Sequence, residues 1–463
     1  MTLNSTRRGF LLRTVIAGAA VALRRLSSLL GRPLGSLAPA RGAVAALEQG
    51  ANALTHGPLL GDLTPTGVRV WARCSRSGSY ELVVAGQGGE IAATMEATPD
   101  RDHTVVWTID GLEPGREYRY EVRHAVDERI VDEGSRTIFA GPDARFLTPL
   151  PQTAPAVTRL AVGSCAREEQ GDRTVWRRMA ALDPQAVVLL GDTPYIDSTD
   201  LVVQRMRYGE FAAVQEFADL LRSRPLYATW DDHDFGRNDT DGRLDGKENV
   251  RQAFLEYHAN PSYGDGDEGI YTSFRLGGVE VFLLDTRWFA GTGPSPIAEG
   301  LTMLGPRQWE WLRDGLRASD APFKVLASGL VWNGAVRPGK PDHWDTYPAE
   351  REALFRFLGE ERISGVVLVG GDVHRTRVLR YPTEEVVGYA LTELITSPIH
   401  DGVIVEANAP HPALVFDSGT PHAFLLLTID TTVQPATLHA SFQDGAGVEL
   451  HTLTLDAAAL TPV

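Results

Sequence analysis

The chain has 463 residues, 43% of them hydrophobic and 22% charged, a composition that excludes both a disordered and a membrane-embedded polypeptide. That length exceeds one ordinary core, so two domains are expected. Forty-four basic residues against sixty acidic ones give a net charge of −16, which argues against a general nucleic-acid or anionic-membrane surface. An anionic substrate would therefore need concentrated local positive charge to draw it in.

The first 46 residues differ in kind. They hold seven arginines (7, 8, 13, 24, 25, 32 and 41) and no acidic residue, leaving 37 basic against 60 acidic residues in the remainder. Thr6-Arg7-Arg8-Gly9-Phe10-Leu11 resembles a twin-arginine export signal. An apolar run at 14–23, too short to span a bilayer, follows it. Ala38-Pro39-Ala40 and Ala46 offer cleavage sites. Export by the twin-arginine machinery to the periplasm or medium is expected, with no transmembrane span in the mature protein. The plainer alternative is an arginine-rich, amphipathic start that stays attached. Two cysteines, Cys74 and Cys165, make no disulfide framework but leave one bridge open.

Residues 47–150 read as a small all-β sandwich. Strands are predicted at 68–73, 80–84, 104–109 and 117–122, punctuated by Gly, Pro and Asp. Leu112-Glu113-Pro114-Gly115-Arg116-Glu117-Tyr118 resembles the corner of fibronectin type III sandwiches, where a tyrosine hydroxyl bonds back to the turn. Pro149, Pro151 and Pro155 mark a linker. Over 151–463 strands alternate with helices, which implies an α/β domain. Strands are predicted at 159–163, 186–190, 226–230, 279–284, 323–327 and 365–369, helices at 175–181, 202–221, 307–317 and 349–358. Two closing strands are expected from residue 423 onward.

Polar residues follow each of those six strands: Gly163-Ser164-Cys165, Gly191-Asp192-Thr193-Pro194-Tyr195, Asp231-Asp232-His233-Asp234, Asp285-Thr286-Arg287, Val331-Trp332-Asn333 and Gly371-Asp372-Val373-His374. Carboxyl ends of sheet strands are where α/β folds place ligand sites. Asp192 can bridge two cations through its two oxygens. Cys165 and Tyr195 could bind one cation as thiolate and phenolate, a pair that suits trivalent iron, and His374 can reach the same ion. Asp232 and Asp372 are hard oxygen ligands suited to calcium, magnesium or manganese. His233 could protonate a leaving alkoxide. Such a two-metal centre polarises a phosphoryl group, generates hydroxide from water and stabilises in-line displacement.

In this order the motifs resemble the alkaline phosphatase D (PhoD-like) family of metallophosphatases. Two further segments are similar to that family, His343-Trp344-Asp345-Thr346-Tyr347-Pro348 and Glu393-Leu394-Ile395-Thr396-Ser397. The resemblance covers essentially the whole chain. It implies an α/β (α+β) metallophosphoesterase-type two-sheet sandwich flanked by helices, behind a fibronectin type III or Ig-like sandwich. It also implies phosphomonoesterase or phosphodiesterase activity at an Fe3+ and Ca2+ centre. Cys165, Asp192, Tyr195 and His374 would hold iron. Asp192, Asp232 and Asp372 would face calcium, with Asp231 as the alternative to Asp232.

Each residue also has a plainer reading. Cys165 could be a buried thiol, and it is no cysteine-phosphatase nucleophile, because Gly171 stands where that loop needs arginine. Tyr195 could be a core aromatic, and the acidic run from Asp231 a solvated loop, although carboxylates crowded about one histidine repel without a cation. Arg287 suits either a substrate phosphate or a buried aspartate such as Asp285. Trp332 and Trp344 could line the pocket or simply pack. Gly334 to Lys340 fits the start of a P-loop, but Pro341 replaces the magnesium-binding hydroxyl and would spoil the helix. The acidic stretch 238–248 lacks EF-hand register, since Gln252 falls at the twelfth position counted from Asp241.

The function these readings favour is hydrolysis of a small phosphate ester by metal-activated hydroxide. A phospholipase D-type diesterase acting on a phospholipid or teichoic-acid-like diester is the near alternative. A non-catalytic exported metal-binding protein is the distant one.

Overall fold

Alternating apolar and polar residues drive the first strands into two small sheets. The structure is a computed structural model that describes residues 53–125 and 137–463. The twin-arginine motif and its cleavage candidates lie outside the described residues. The first eight strands are β1 (Leu54–Thr64), β2 (Gly67–Cys74), β3 (Gly78–Gly86), β4 (Gly89–Ala97), β5 (Thr104–Asp110), β6 (Glu117–His124), β7 (Thr137–Phe139) and β8 (Arg145–Leu147). They form sheets of order β1-β2-β5 and β4-β3-β6-β7, with β8 also paired to β6. Val70 and Trp107 from one sheet meet Leu82 and Val122 from the other in a single buried cluster. At the expected corner, Glu113 N donates to Tyr118 Oη at 2.8 Å.

From residue 157 the chain alternates strands and helices. In order come β9 (Val157–Gly163), α1 (Asp172–Ala181), β10 (Ala186–Leu190), α2 (Leu201–Ala212), α3 (Gln215–Leu221), β11 (Leu226–Thr229), α4 (Asp232–Phe235) and α5 (Lys247–Tyr257). Then follow β12 (Thr272–Leu276), β13 (Val279–Leu283), α6 (Gly305–Ala318), β14 (Phe323–Ala327), α7 (Pro348–Glu360) and β15 (Val366–Gly370). The chain closes with β16 (Thr376–Tyr381), α8 (Glu384–Val387), β17 (Leu391–Ile395), β18 (Leu414–Ser418), β19 (Ala423–Asp430), β20 (Thr437–Asp444) and β21 (Glu449–Asp456).

Two mixed sheets result, β11-β10-β9-β19-β20-β21 and β12-β13-β14-β15-β17-β16-β18. Side chains on a strand alternate between faces, and β9 and β10 are apolar on both. Leu160, Val162, Val188 and Leu190 meet Val325, Val367 and Leu394 between the sheets. Ala161, Val187 and Leu189 face Trp176, Phe211, Phe217 and Phe254 of the helices. Trp309 and Leu312 of α6 and Leu354 and Leu358 of α7 complete the other side.

Two expectations need correction. The single helix predicted at 202–221 is two, because Val214 turns extended between α2 and α3. Three strands, not two, close the chain, since β20 and β21 continue the antiparallel meander begun by β19.

Asn52–Val463 form one compact unit. Leu59 and Trp71 of the small sheets belong to the helical-side core of the large ones, and Trp71 Nε1 donates to Glu256 O at 2.7 Å. At Gly61 a Cβ would stand 2.2 Å from Ala259 O, so this close approach requires glycine.

Candidate metal centre

Parallel strands in both sheets end at the same place. β9 leads into Cys165, β10 into Asp192, β11 into Asp231-Asp232-His233, β15 into Asp372 and His374, and β17 into Ser397 and His400. One donor atom each from Cys165, Asp192 and His374 lies within 4.8 Å of the others, and so do atoms of Asp192, Asp231, Asp232 and Asp372. Asp192 belongs to both groups. Cys165, Asp192, Asp372 and His374 all adopt left-handed backbone, at φ 56°, 53°, 61° and 52°. Non-glycine residues rarely do so, and such strain concentrates at functional sites. Gly191 (φ 92°) lets β10 turn here, since a Cβ would lie 2.2 Å from Asp231 N.

Three carboxylates share one pattern. Asp231 Oδ1 accepts from Arg287 Nε at 2.8 Å, Asp232 Oδ2 from Asp239 N at 2.6 Å, and Asp372 Oδ1 from Lys340 Nζ at 2.6 Å. Their remaining oxygens, Asp231 Oδ2, Asp232 Oδ1 and Asp372 Oδ2, are buried without a partner. Orphaned buried oxygens are costly unless a cation satisfies them. Each aspartate thus has one oxygen held by the protein and one free for an ion. The donor set of carboxylates, thiol, phenol and imidazole fits a pair of metal ions.

Tyr195 Oη lies 2.8 Å from His374 Nε2 and 2.9 Å from His400 Nε2. Gly402 N donates to His400 Nδ1 at 2.7 Å, so the proton of the neutral ring sits on Nε2 and is donated to Tyr195. Ser397 Oγ donates to Cys165 Sγ at 3.1 Å and accepts from His374 N at 3.1 Å, tying the thiol to the imidazole segment.

Without cations these anions are disfavoured. Burial, then the neighbouring Asp232, pushes the Asp192 carboxyl far above the usual range. Burial, then Asp192, does the same to the Cys165 thiol. Burial, followed by Cys165 and Asp192, raises the Tyr195 phenol. Burial lowers His374 to about 4, leaving its ring neutral, the form that binds metal. A strongly perturbed cluster of this kind marks a functional site.

His233 stands beside the cluster. One donor atom each of Asp192, Asp232 and His233 lies within 4.8 Å of the others. Its Nδ1 is 2.6 Å from Asp197 Oδ1, and its ring centroid is 4.5 Å from that of Tyr195. Burial pulls its pKa down, but the Asp197 hydrogen bond and the charges of Asp192 and Asp232 outweigh that and raise it to about 9.

Arg287 requires a correction. Its guanidinium is 1% exposed and pairs with Asp231 and Asp342, while Nη1 also donates to Thr240 O at 2.8 Å. No edge of it is offered to a substrate phosphate; it holds Asp231 in place. Trp332 and Trp344 pack, stacked with centroids 4.3 Å apart and both fully buried. Asn333 Nδ2 donates to Glu393 Oε2 at 2.9 Å. No helix starts at Lys340 as a P-loop requires, and Lys340 reaches Asp372 instead. Both cysteines are free.

His400, Asp197, Asp342, Lys340 and Asp239 escaped sequence reasoning. His400 alone carried a usable signal, since it follows the end of β17 as the other site residues follow their strands. The rest sit in loops, where spacing encodes no direction.

Residues 160–425 match the PhoD-like phosphatase family and residues 38–138 its N-terminal domain. Alkaline phosphatase D of Bacillus subtilis (strain 168) is 26% identical over 330 residues, which is 61% of this chain; the match spans 55% of that relative's own length. A structure of PhoD superposes with a TM-score of 0.65 at 20% identity, covering 85% of this chain and 91% of that one. Purple acid phosphatase PPD1 from yellow lupin (Lupinus luteus) seeds gives 0.64 at 13% identity, covering 87% and 75%. These two likenesses are of fold, and among the described residues no helix is long and apolar enough to cross a membrane. The family match runs through every strand end from which the clustered side chains project, and the chain belongs to the PhoD-like phosphatase family.

Proposed function

We propose that the protein is a phosphoesterase that hydrolyses small phosphate esters at a two-cation centre. The observation that carries this reading is Asp192, one carboxylate common to a Cys-Asp-His group and a four-aspartate group. Cys165, Asp192, Tyr195 and His374 would hold one ion, for which thiolate and phenolate favour Fe3+. Asp192, Asp231, Asp232 and Asp372 would hold the other, for which an all-oxygen set favours Ca2+. When bound, the two ions would polarise the phosphoryl group and supply an activated water.

The remaining work falls to the chain itself. His233, kept protonated by Asp197, donates a proton to the departing alcohol oxygen. His400 and Ser397 hold Tyr195 and Cys165 in orientation through their hydrogen bonds. Arg287, Lys340 and the Asp239 N–H fix the aspartates so that little reorganisation accompanies reaction. Export by the twin-arginine route belongs to the same reading and would deliver the protein to the periplasm or medium.

The test is release of nitrophenol from p-nitrophenyl phosphate and bis-p-nitrophenyl phosphate by protein loaded with Fe3+ and Ca2+, alongside Asp192→Ala. Turnover by the wild type and its loss in the variant support the reading. No turnover of either ester at any metal loading sinks it.

A further inference from the structure

We propose that Arg167 is the anion anchor of this site and takes the non-bridging oxygens of the substrate phosphate. The proposal rests on the phosphoesterase reading and adds to it the group that recognises the substrate. Beyond the charge that bound ions would supply, a chain of net charge −16 gains from a side-chain cation placed beside the phosphate. The positive side chains of Arg287, Lys340, Arg207 and His233, which touch the candidate ligands, are committed. Arg287 is held by Asp231 and Asp342, and Lys340 by Asp372. Arg207 is held by Glu168 and Glu210, and His233 by Asp197.

Arg167 differs. It follows Cys165 by two residues, and its guanidinium carbon lies 4.7 Å from the centroid of the Tyr195 ring. Its Nε is buried with no partner. Its ion-pair contact, to Glu169 Oε1, is stretched to 3.9 Å, and the side chain stays 30% exposed. Its backbone is well held, with Arg167 N donating to Asp172 Oδ2 at 2.6 Å and Ala166 N to Asp192 O at 3.0 Å. Contact with a ring face orients a guanidinium without consuming its N–H donors. Those donors form the planar fork that matches two phosphate oxygens. The same ring approaches His233, with centroids 4.5 Å apart, so Arg167 and the expected proton donor both contact one candidate ligand.

The test uses the full chain loaded with metal, with inorganic phosphate as the calorimetric probe and p-nitrophenyl phosphate as substrate. Arg167→Ala is expected to weaken phosphate binding at least about tenfold, the loss of one charge-assisted contact, and to raise KM more than it lowers kcat. Arg167→Lys, which keeps the charge but not the fork, should recover part of the affinity. Metal content and the visible spectrum should match the wild type. Phosphate affinity within about twofold of wild type in Arg167→Ala would overturn the proposal. So would a loss matched by loss of bound metal, which would make Arg167 a support for Tyr195 alone. If the wild type hydrolyses no phosphate ester, the phosphoesterase reading fails, while the phosphate titration still decides for or against Arg167.

Discussion

His400 donates its Nε2 proton to Tyr195 Oη across 2.9 Å, because Gly402 N–H occupies its Nδ1. Burial, then the adjacent His374, keeps the His400 ring neutral by lowering its pKa. A hydrogen bond to a phenolate withdraws electron density from it. With Fe3+ bound, His400→Ala should therefore leave Tyr195 a stronger electron donor and move its charge-transfer absorption to longer wavelength. Visible spectra of the iron-loaded proteins check this, and an unmoved band would refute the role given to His400.

Asp197 sets the protonation of His233. The raised pKa means that the protonated ring is favoured in the folded state. Its stabilising contribution is complete below the ordinary value of 6.5 and disappears as pH rises through about 9. Asp197→Asn removes the leading upward influence, so the basic limb of the kcat/KM profile should shift to lower pH. The stability gap between wild type and variant should close above that limb. Rate profiles and melting curves over the same pH range measure both, and an unshifted basic limb would exclude His233 as the proton donor under Asp197 control.

Arg287 and Asp231 form a pair in which both side chains are 1% exposed. Removing one partner strands the other charge in a buried position. Arg287→Ala should therefore cost about 3–5 kcal/mol of folding stability, read from the midpoint of urea denaturation. A variant of wild-type stability with a weakened phosphate affinity would restore the substrate-contact reading.

Asp192 is common to both groups of candidate ligands, whereas Asp372 carries a free oxygen only in the all-aspartate group. On the proposed iron–calcium assignment, Asp192→Ala should lose both ions, and Asp372→Ala the calcium preferentially. Metal analysis after dialysis distinguishes them. Chelation should also lower the melting temperature of the wild type, since the buried carboxylates repel one another without cations. Iron retained in full by Asp192→Ala would contradict the bridging assignment.

The core strands were legible because each is a short apolar run closed by glycine or a polar residue. Ala186–Leu190 and Phe323–Ala327 have the bounds expected from sequence. β12, β16 and β18 were not expected. β18 is a partly exposed edge strand, and β12 is a short edge strand with Thr272, Ser273 and Arg275 among its five residues. β16, though largely buried, carries Arg377 and Arg380, so mixed composition hid all three. Cys165, Asp192, Asp372 and His374 could be singled out because a strand end announces itself locally. Arg287 was ambiguous for the opposite reason. Its partners Asp231 and Asp342 lie 56 and 55 residues away, and only the fold brings them together.

By itself the sequence determined the alternation of strands and helices and the chemical types of the donors at the strand ends, since both depend on neighbours along the chain. The tertiary structure alone decided which oxygen of each aspartate is tied and which is free. It likewise decided which tautomer His400 adopts and how firmly each arginine beside the candidate ligands is paired. Those outcomes depend on partners from distant segments whose directions are set by packing, and no spacing in a linear chain encodes them.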